Sequence, residues 1–261
     1  MMFETTGSRE TDLLLDDLID AAKELRSDLE AIRRAESPPS GWYPYDSLNN
    51  LYHLDRLLEG EHRSITRLSG GLPIADIGAA DGEMSFLLDR HGFEVDIIDN
   101  APTNANGLEG ARLLARKLDA DVRIIDTNID RSIDGGLGGE GREYGLAIFL
   151  GILYHLKNPF LAMEQLAAKC RRCLVSTRIT RLAPDRNREI SDMSLAYLVD
   201  RTELNGDPTN FWIFTEVGLR RLFSRTGWRV VNAITVGDTK ASDPISMDHD
   251  ERFFALLENE R

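Results

Sequence analysis

Cysteine is nearly absent from this chain: Cys170 and Cys173 are the only two, which excludes a disulfide framework as the source of stability. Their CxxC spacing would suit a redox pair, but they fall late in a predicted helix, whereas low thiol pKa values arise at helix N-termini. An inert pair at a helix-to-strand junction is therefore expected. Positive charge is short as well. Lys and Arg number 31 against 44 Asp and Glu, a net charge of −13 that disfavours a nucleic-acid partner, because phosphate binders carry an excess of basic residues on some face. Long apolar runs are missing: the longest, near 146–156, contains His155 and is shorter than the ~20 residues a membrane-spanning helix needs. Residues 1–10 contain no basic segment followed by an apolar one, so no secretory signal is read and a cytoplasmic location is the expectation. With 42% hydrophobic and 29% charged residues, the chain is a soluble globular type, and its 261 residues suffice for an ordinary core.

Periodicity divides the chain in two. Leu15, Leu18, Ala22, Leu25, Leu29 and Ile32 recur at helical spacing between charged residues, which predicts an amphipathic helix over 11–34. Pro38, Pro39 and Gly41 break it, an aromatic segment with Trp42, Tyr43, Tyr45 and Tyr52 follows, and a second helix is predicted over 53–67. Residues 1–70 thus read as a helical N-terminal extension, a cap on the larger domain C-terminal to it. From residue 71 to 261 apolar strands at 73–77, 95–98, 122–125, 146–150 and 173–177 alternate with helices near 84–91, 107–118 and 160–169. That alternation is the mark of right-handed βαβ units, so the body is an α/β, doubly wound, Rossmann-like domain. A helix at 216–226 precedes strands at 228–236 and 252–257, which lack a crossover helix between them and can pair only antiparallel. Seven strands are expected, with an antiparallel last one. The long polar stretch at 179–211 is read as a lid over a site. The glycine cluster at 135–141 lacks the Lys and Ser/Thr of a phosphate loop and is read as a connecting loop.

The first predicted strand runs into Asp76, Ile77, Gly78, Ala79, Ala80, Asp81 and Gly82, after which a helix begins. Glycines there let the backbone turn sharply towards a ligand, and the helix start offers unpaired N–H groups. Asp99 ends the next strand, where doubly wound folds place a carboxylate for ribose hydroxyls. Strand, turn, helix, strand and acid in this order predict a nucleoside-like cofactor. A dinucleotide fingerprint wants a third glycine where this chain has Glu83, whose charge would oppose a pyrophosphate. NAD is disfavoured.

The pattern Asp76-x-Gly78-x-Ala80-x-Gly82 resembles the first motif of class I S-adenosylmethionine-dependent methyltransferases, and the antiparallel last strand strengthens the likeness. The resemblance covers about residues 72–257. It implies S-adenosyl-L-methionine as cofactor, Asp99 with Asn100 at the ribose, and Asn128, Ile129 and Asp130 against the adenine. The run Gly151, Leu153, Tyr154, His155 and Pro159 is similar to the tRNA wobble-uridine carboxymethyltransferases and methyltransferases related to them. That likeness implies cofactor contacts at Leu150 and Tyr154 and an arginine, Arg252, facing a carboxylated cofactor. The group's N-terminal lysines have no counterpart near residues 42–56, which favours the plain donor.

Methyl transfer is an in-line displacement, so positioning supplies much of the acceleration and a base is needed only for a nucleophile that carries a proton. His155 is the candidate base, with a hydrogen bond to backbone as its structural alternative. Tyr43 and Tyr45 are candidates for the wall of an acceptor pocket, as are Trp212 beside the lid and Arg252. The reading is a methyltransferase acting on oxygen of a small molecule. A tRNA-modifying transferase and a catalytically silent cofactor-binding protein are the alternatives.

Overall fold

The computed structural model describes residues 12–261; the readings made for residues 1–10 and for the helix start at Thr11 lie outside the described residues. Five strands form a parallel sheet: β1 (Ile74–Ile77), β2 (Val95–Asp99), β3 (Arg123–Asp126), β4 (Tyr144–Leu150) and β5 (Cys170–Ile179). Their spatial order is β3-β2-β1-β4-β5, so the chain reverses direction across the sheet between β1 and β4. In open α/β sheets that switch point opens a crevice at the carboxyl ends of the strands. Beyond β5 lies β9 (Glu251–Asn259), antiparallel to it, and then β8 (Trp228–Gly237), antiparallel to β9.

Seven strands therefore match the expected sheet, and two short ones add to it. β6 (Ala196–Leu198) and β7 (Trp212–Phe214) pair antiparallel, and β7 continues the sheet beside the end of β5 through Ile179 and Phe214. At three residues each they are too short for an alternating pattern to reveal them.

Alternate strand residues feed two cores. On one face Ile74, Val95, Ile97, Ile148, Leu174 and Phe254 pack against α1 (Leu15–Ala35), α2 (Asn50–Leu57), α3 (Ile65–Ser69) and α4 (Glu83–Asp89). On the other, Ala75, Ile77, Phe149, Val175 and Phe253 pack against α6 (Pro159–Ala167) and α7 (Glu216–Arg225). α5 (Glu109–Leu118) contributes Leu114 to the first core. In α1, Leu15, Leu18, Leu25 and Leu29 are buried, each contributing about 1.5–3 kcal/mol before entropy is counted. Asp16 and Asp17 in its first turn and Arg33 and Arg34 in its last suit the helix dipole, and the Asp17 carboxylate accepts the Leu14 N–H at 3.1 Å.

The single helix expected over 53–67 is broken into α2, a 3-10 turn over Gly60–Arg63, and α3: the backbone turns extended at Leu58 and Glu59, and Gly60 then takes a left-handed conformation (φ +56°). α6 ends at Ala167 and β5 already begins at Cys170, so the pair expected at the helix-to-strand junction lies wholly on the strand. Both thiols are free and buried, and burial pushes their pKa values up, the condition of inert cysteine. Among the described residues no helix is long and apolar enough to cross a membrane.

Candidate functional site

The turn after β1 is built around left-handed backbone. Gly78 (φ +67°) donates its N–H to the Ile98 carbonyl at 2.9 Å, and a Cβ at that position would stand 2.2 Å from Ile152 Cδ1. Ala80 (φ +56°) holds the same conformation at a cost, while Gly82 (φ +87°) opens α4. Beneath the turn, three acids are buried. Asp76 accepts the Ser85 hydroxyl at 2.7 Å; burial, reinforced by the nearby charges of Glu83 and Asp99, pushes its carboxyl up to about 7.

The other two acids tie the N-terminal extension to the turn. Asp81 accepts the Tyr43 backbone N–H at 2.8 Å and Asn106 Nδ2 at 2.7 Å. Glu83 accepts the Arg33 guanidinium at 2.6 Å and the Ser47 hydroxyl at 2.7 Å, partners that offset the burial pushing its carboxyl up. Arg33 in turn lies 5.5 Å from the Trp42 ring, and the Trp42 indole donates to the Glu36 carbonyl at 3.2 Å. The aromatic segment is thereby fixed against the turn, and Asp81 and Glu83 share Arg33 as their one cationic partner.

A cavity of about 460 Å³ opens beside Gly78 at the carboxyl ends of β1, β2 and β4, inside the range typical of small-molecule sites. Tyr43, Gly78, Asp99, Asn100, Asn128, Ile129, Asp130 and His155 line it, together with Ile152, Thr209 and Phe211. Asp99 accepts Asn104 Nδ2 at 3.0 Å and the Asn100 N–H at 2.7 Å, and burial raises its pKa. A carboxylate has about four acceptor positions, so room remains for two hydroxyls. Tyr43 is pushed up to about 12 by burial and by the charge of Asp99, which keeps its phenol protonated. Asn128 accepts the Asp130 N–H at 2.9 Å, and the Asp130 carboxylate anchors the far wall by accepting the Lys157 and Asn158 N–H groups at 3.0 and 2.8 Å.

The remaining predicted residues stand apart from the cavity wall. Asp76, Ala80 and Gly82 shape the turn from below and behind, and Leu150 packs in the core under the N-terminal helices. Tyr154 is buried against Val199, Leu204 and Ile213, its carbonyl accepts the Phe211 N–H at 2.9 Å, and its ring lies 4.1 Å from the His155 ring. Tyr45 is 72% exposed and leans on Tyr43 at 5.9 Å. Trp212 donates its indole N–H to the Lys157 carbonyl at 3.2 Å, and Arg252 sits on β9 beside Tyr154, 5.8 Å from its ring. Reasoning from the sequence missed Arg33, Asn104, Asn106, Ile152 and Thr209. Of these, only the polar run 100–106, with Asn100, Thr103, Asn104 and Asn106, carried a local signal.

The His155 Nδ1 lies 3.1 Å from the Thr209 carbonyl oxygen and 3.0 Å from Thr209 Oγ1, whose own proton goes to Asp207 Oδ1 at 2.6 Å; with both Thr209 oxygens facing it as acceptors, Nδ1 carries the proton and Nε2 is left as the ring's acceptor. Burial lowers the His155 pKa and keeps the imidazole neutral near pH ~7.

An acid-rich glycine turn, an acid at the end of β2 and a switch-point cavity occur here on a sheet in which β9 runs antiparallel to both β5 and β8. Residues 37–233 match a family model described as a methyltransferase domain. The chain belongs to that methyltransferase family. Among solved structures, the N-terminal domain of EvdMO1 with S-adenosylhomocysteine bound is 14% identical, with a TM-score of 0.56 over 98% of this chain and 100% of that one. The same domain crystallised in the presence of S-adenosylhomocysteine and D-fucose is 13% identical and gives 0.58, over 97% of this chain and 100% of that one. A Bacillus halodurans protein described as a methyltransferase is 10% identical and gives 0.53, over 74% of this chain and 95% of that one. These likenesses concern the fold. No curated protein matches the sequence. In a methyltransferase the nucleophile must stand within about 3.5 Å of the methyl carbon, so the walls of this cavity are what the enzyme has to work with.

Proposed function

We propose that this methyltransferase moves the methyl group of S-adenosylmethionine to a hydroxyl of a small molecule, with the N-terminal extension as cap and residues 179–211 as lid. The observation that carries the reading is His155: a neutral imidazole on the cavity wall, its Nδ1 proton committed to the Thr209 carbonyl and its Nε2 available to take a hydroxyl proton. A thioether, which carries no proton, would not need such a base.

S-adenosylmethionine is the cofactor, and the residues present fit it. Asp99 retains acceptor capacity for ribose hydroxyls. The turn sets buried Asp76, Asp81 and Glu83 against one cation, Arg33, an excess of acid that suits a cationic ligand and opposes a phosphate. When bound, the cofactor supplies an activated methyl group. Asn128, Ile129 and Asp130 would border its base, Tyr43 and His155 the reacting end. Arg252 is a candidate acceptor contact, and Trp212 and Tyr154 hold the lid strand in place behind it. A net charge of −13 and a cavity of nucleoside size favour a small acceptor over tRNA.

A thermal-shift series tests the cofactor first. S-adenosylmethionine or S-adenosylhomocysteine at a hundred times its Kd adds about 2.7 kcal/mol of stability, and NADH adds none. An acceptor panel with labelled methyl donor then tests the chemistry: label in hydroxyl compounds that is lost in His155→Asn supports the reading. Stabilisation by NADH alone, or methylation of amines and tRNA but of no hydroxyl compound, would overturn it.

A further inference from the structure

Among the described residues, the imidazole of His155 takes its hydrogen-bond partners from one distant residue, Thr209. His155 ends the 3-10 turn Leu153–His155 that follows β4, whereas Thr209 lies in the segment between β6 and β7. The Thr209 carbonyl stands 3.1 Å from Nδ1 and Oγ1 stands 3.0 Å from it. The Thr209 hydroxyl in turn donates to Asp207 Oδ1 at 2.6 Å, and the Thr209 N–H reaches the same oxygen at 2.8 Å. Proton order along this row is forced, because a carboxylate only accepts and a hydroxyl has one proton to give. Carboxylate, hydroxyl and imidazole therefore form a chain that ends at Nε2, the ring's open acceptor.

The row is held from both sides. Phe211 donates its N–H to the Tyr154 carbonyl at 2.9 Å, and the Trp212 indole donates to the Lys157 carbonyl at 3.2 Å, so residues 209–212 clasp the chain before and after His155. Among the described residues no lysine or arginine pairs with Asp207, whose carboxylate accepts only from Thr209. An acid without a cation of its own leaves its field to the ring behind that hydroxyl. Burial opposes positive charge on the ring most strongly, and Arg252 and Arg178 add to it from β9 and β5; the Thr209 carbonyl and the Asp207 charge work against them. The Tyr154 ring lies beside the imidazole at 4.1 Å, and Tyr43, Asp99, Asp130, Arg131 and Lys157 share the cavity wall with it. Of these acids, Asp207 alone is linked to the ring through a hydrogen-bonded hydroxyl.

We propose that Asp207 is a positioning residue for methyl transfer: through the Thr209 hydroxyl it holds the His155 proton on Nδ1 and offsets the positive charge that the ring gains when Nε2 takes the acceptor's proton. The acceptor oxygen gives that proton to Nε2 and an electron pair to the methyl carbon, whose former bonding pair leaves on sulfur. No proton passes to Asp207. Without the carboxylate's charge the ring stays neutral but accepts a proton less readily, so the base is complete only while the segment carrying Asp207 and Thr209 is seated. The proposal rests on the reading of His155 as the base and deepens it.

Nitrogen NMR of the full chain labelled at histidine tests it without cofactor or acceptor, the His155 signals being assigned by their loss in His155→Asn. The neutral ring is expected to carry its proton on Nδ1. Asp207→Asn keeps an oxygen for the Thr209 hydroxyl and drops the charge, and it should lower the proton affinity of the ring by about threefold or more. Thr209→Val breaks the row and should do the same, whereas Thr209→Ser keeps the hydroxyl and should not. If Asp207→Asn fails to fold, the valine and serine variants carry the test between them. A fall of less than about threefold in Asp207→Asn or in Thr209→Val, a fall of about threefold or more in Thr209→Ser, or a neutral ring protonated at Nε2 overturns the proposal. A role confined to shaping the loop would leave the titration where it is. If instead methylation of hydroxyl compounds survives His155→Asn, the base reading fails, and the titration still decides whether Asp207 governs the ring.

Discussion

Replacing Asp76 with asparagine should stabilise this protein at neutral and alkaline pH and do almost nothing in acid. Asp76 is buried beneath the glycine turn after β1, its one strong partner is the Ser85 hydroxyl, and its carboxyl is pushed up to about 7 from 3.8. A folded-state pKa raised above the unfolded value means that the folded chain holds this proton more tightly. The contribution to stability is therefore present in full below the unfolded value and is lost as pH climbs from about 4 through about 7. At about 1.4 kcal/mol per tenfold in proton affinity, the whole loss is about 4 kcal/mol, an upper figure because water and side chains relax around a buried charge. Asparagine keeps the shape and an oxygen for the Ser85 hydroxyl, and it never ionises. The difference between variant and parent is then near zero at about pH 4 and largest at about pH 8, where it corresponds to about 8 °C in Tm for a chain of this size. Because Glu83 and Asp99 are also raised by burial, the absolute pH curves will slope; the burial part of that slope is common to both proteins, and the part coupled to the Asp76 charge adds to the difference in the same direction. Denaturant melts at several pH values measure it directly. Parallel curves for the two proteins over that whole range would refute the assignment of a buried, strained carboxylate to this turn.

Asp99→Ala, which removes a carboxylate able to accept two hydroxyls, should weaken S-adenosylhomocysteine by about tenfold or more in calorimetry with the Tm little changed. Gly78→Ala forces a Cβ against Ile152 Cδ1 in a left-handed conformation and should cost about 1–3 kcal/mol, part of which Ile152→Ala in the same chain restores by opening the space. Arg33→Met strands the buried Glu83 and should cost about 3–5 kcal/mol by chemical melt, whereas Arg33→Met with Glu83→Gln should recover most of it. His155→Asn should abolish transfer to hydroxyl compounds while leaving cofactor binding intact by thermal shift, and in the parent enzyme activity should fall at low pH as the imidazole protonates.

The parallel body was legible because its strands are continuous apolar runs separated by helical periods, and each period survives in the fold as one core face. Ile74 and Ile97 reach one side, and Ala75 and Ile98 the other. What local pattern could not give was anything created by long-range pairing. β6 and β7 are three residues each, and β7 exists because the end of β5 runs past β4 and offers Ile179 an unpaired edge. The break between α2 and α3 follows from the extended backbone at Leu58 and Glu59 and the left-handed Gly60, yet Gly60 sits in a run whose apolar spacing still reads as helix.

The site divides along the same line. Asp76, Gly78, Gly82 and Asp99 were readable because their chemistry is fixed by neighbours along the chain, a turn that needs left-handed backbone and a strand that ends in an acid. Arg33 was not, since an arginine in the last turn of an amphipathic helix is what the helix dipole favours in any case; only the fold reveals that it meets Glu83 fifty positions away. The same holds for Arg178 and Arg252, whose opposition across two strands is a fact of register. A net charge of −13 taken alone makes this chain a poor host for anions, but net charge is a sum over the surface, and recognition is decided within a few ångströms. Here the acids are gathered beneath the glycine turn after β1, with Arg33, Asn106 and Ser47 as partners, while the β5–β9 corner keeps two guanidiniums for one carboxylate.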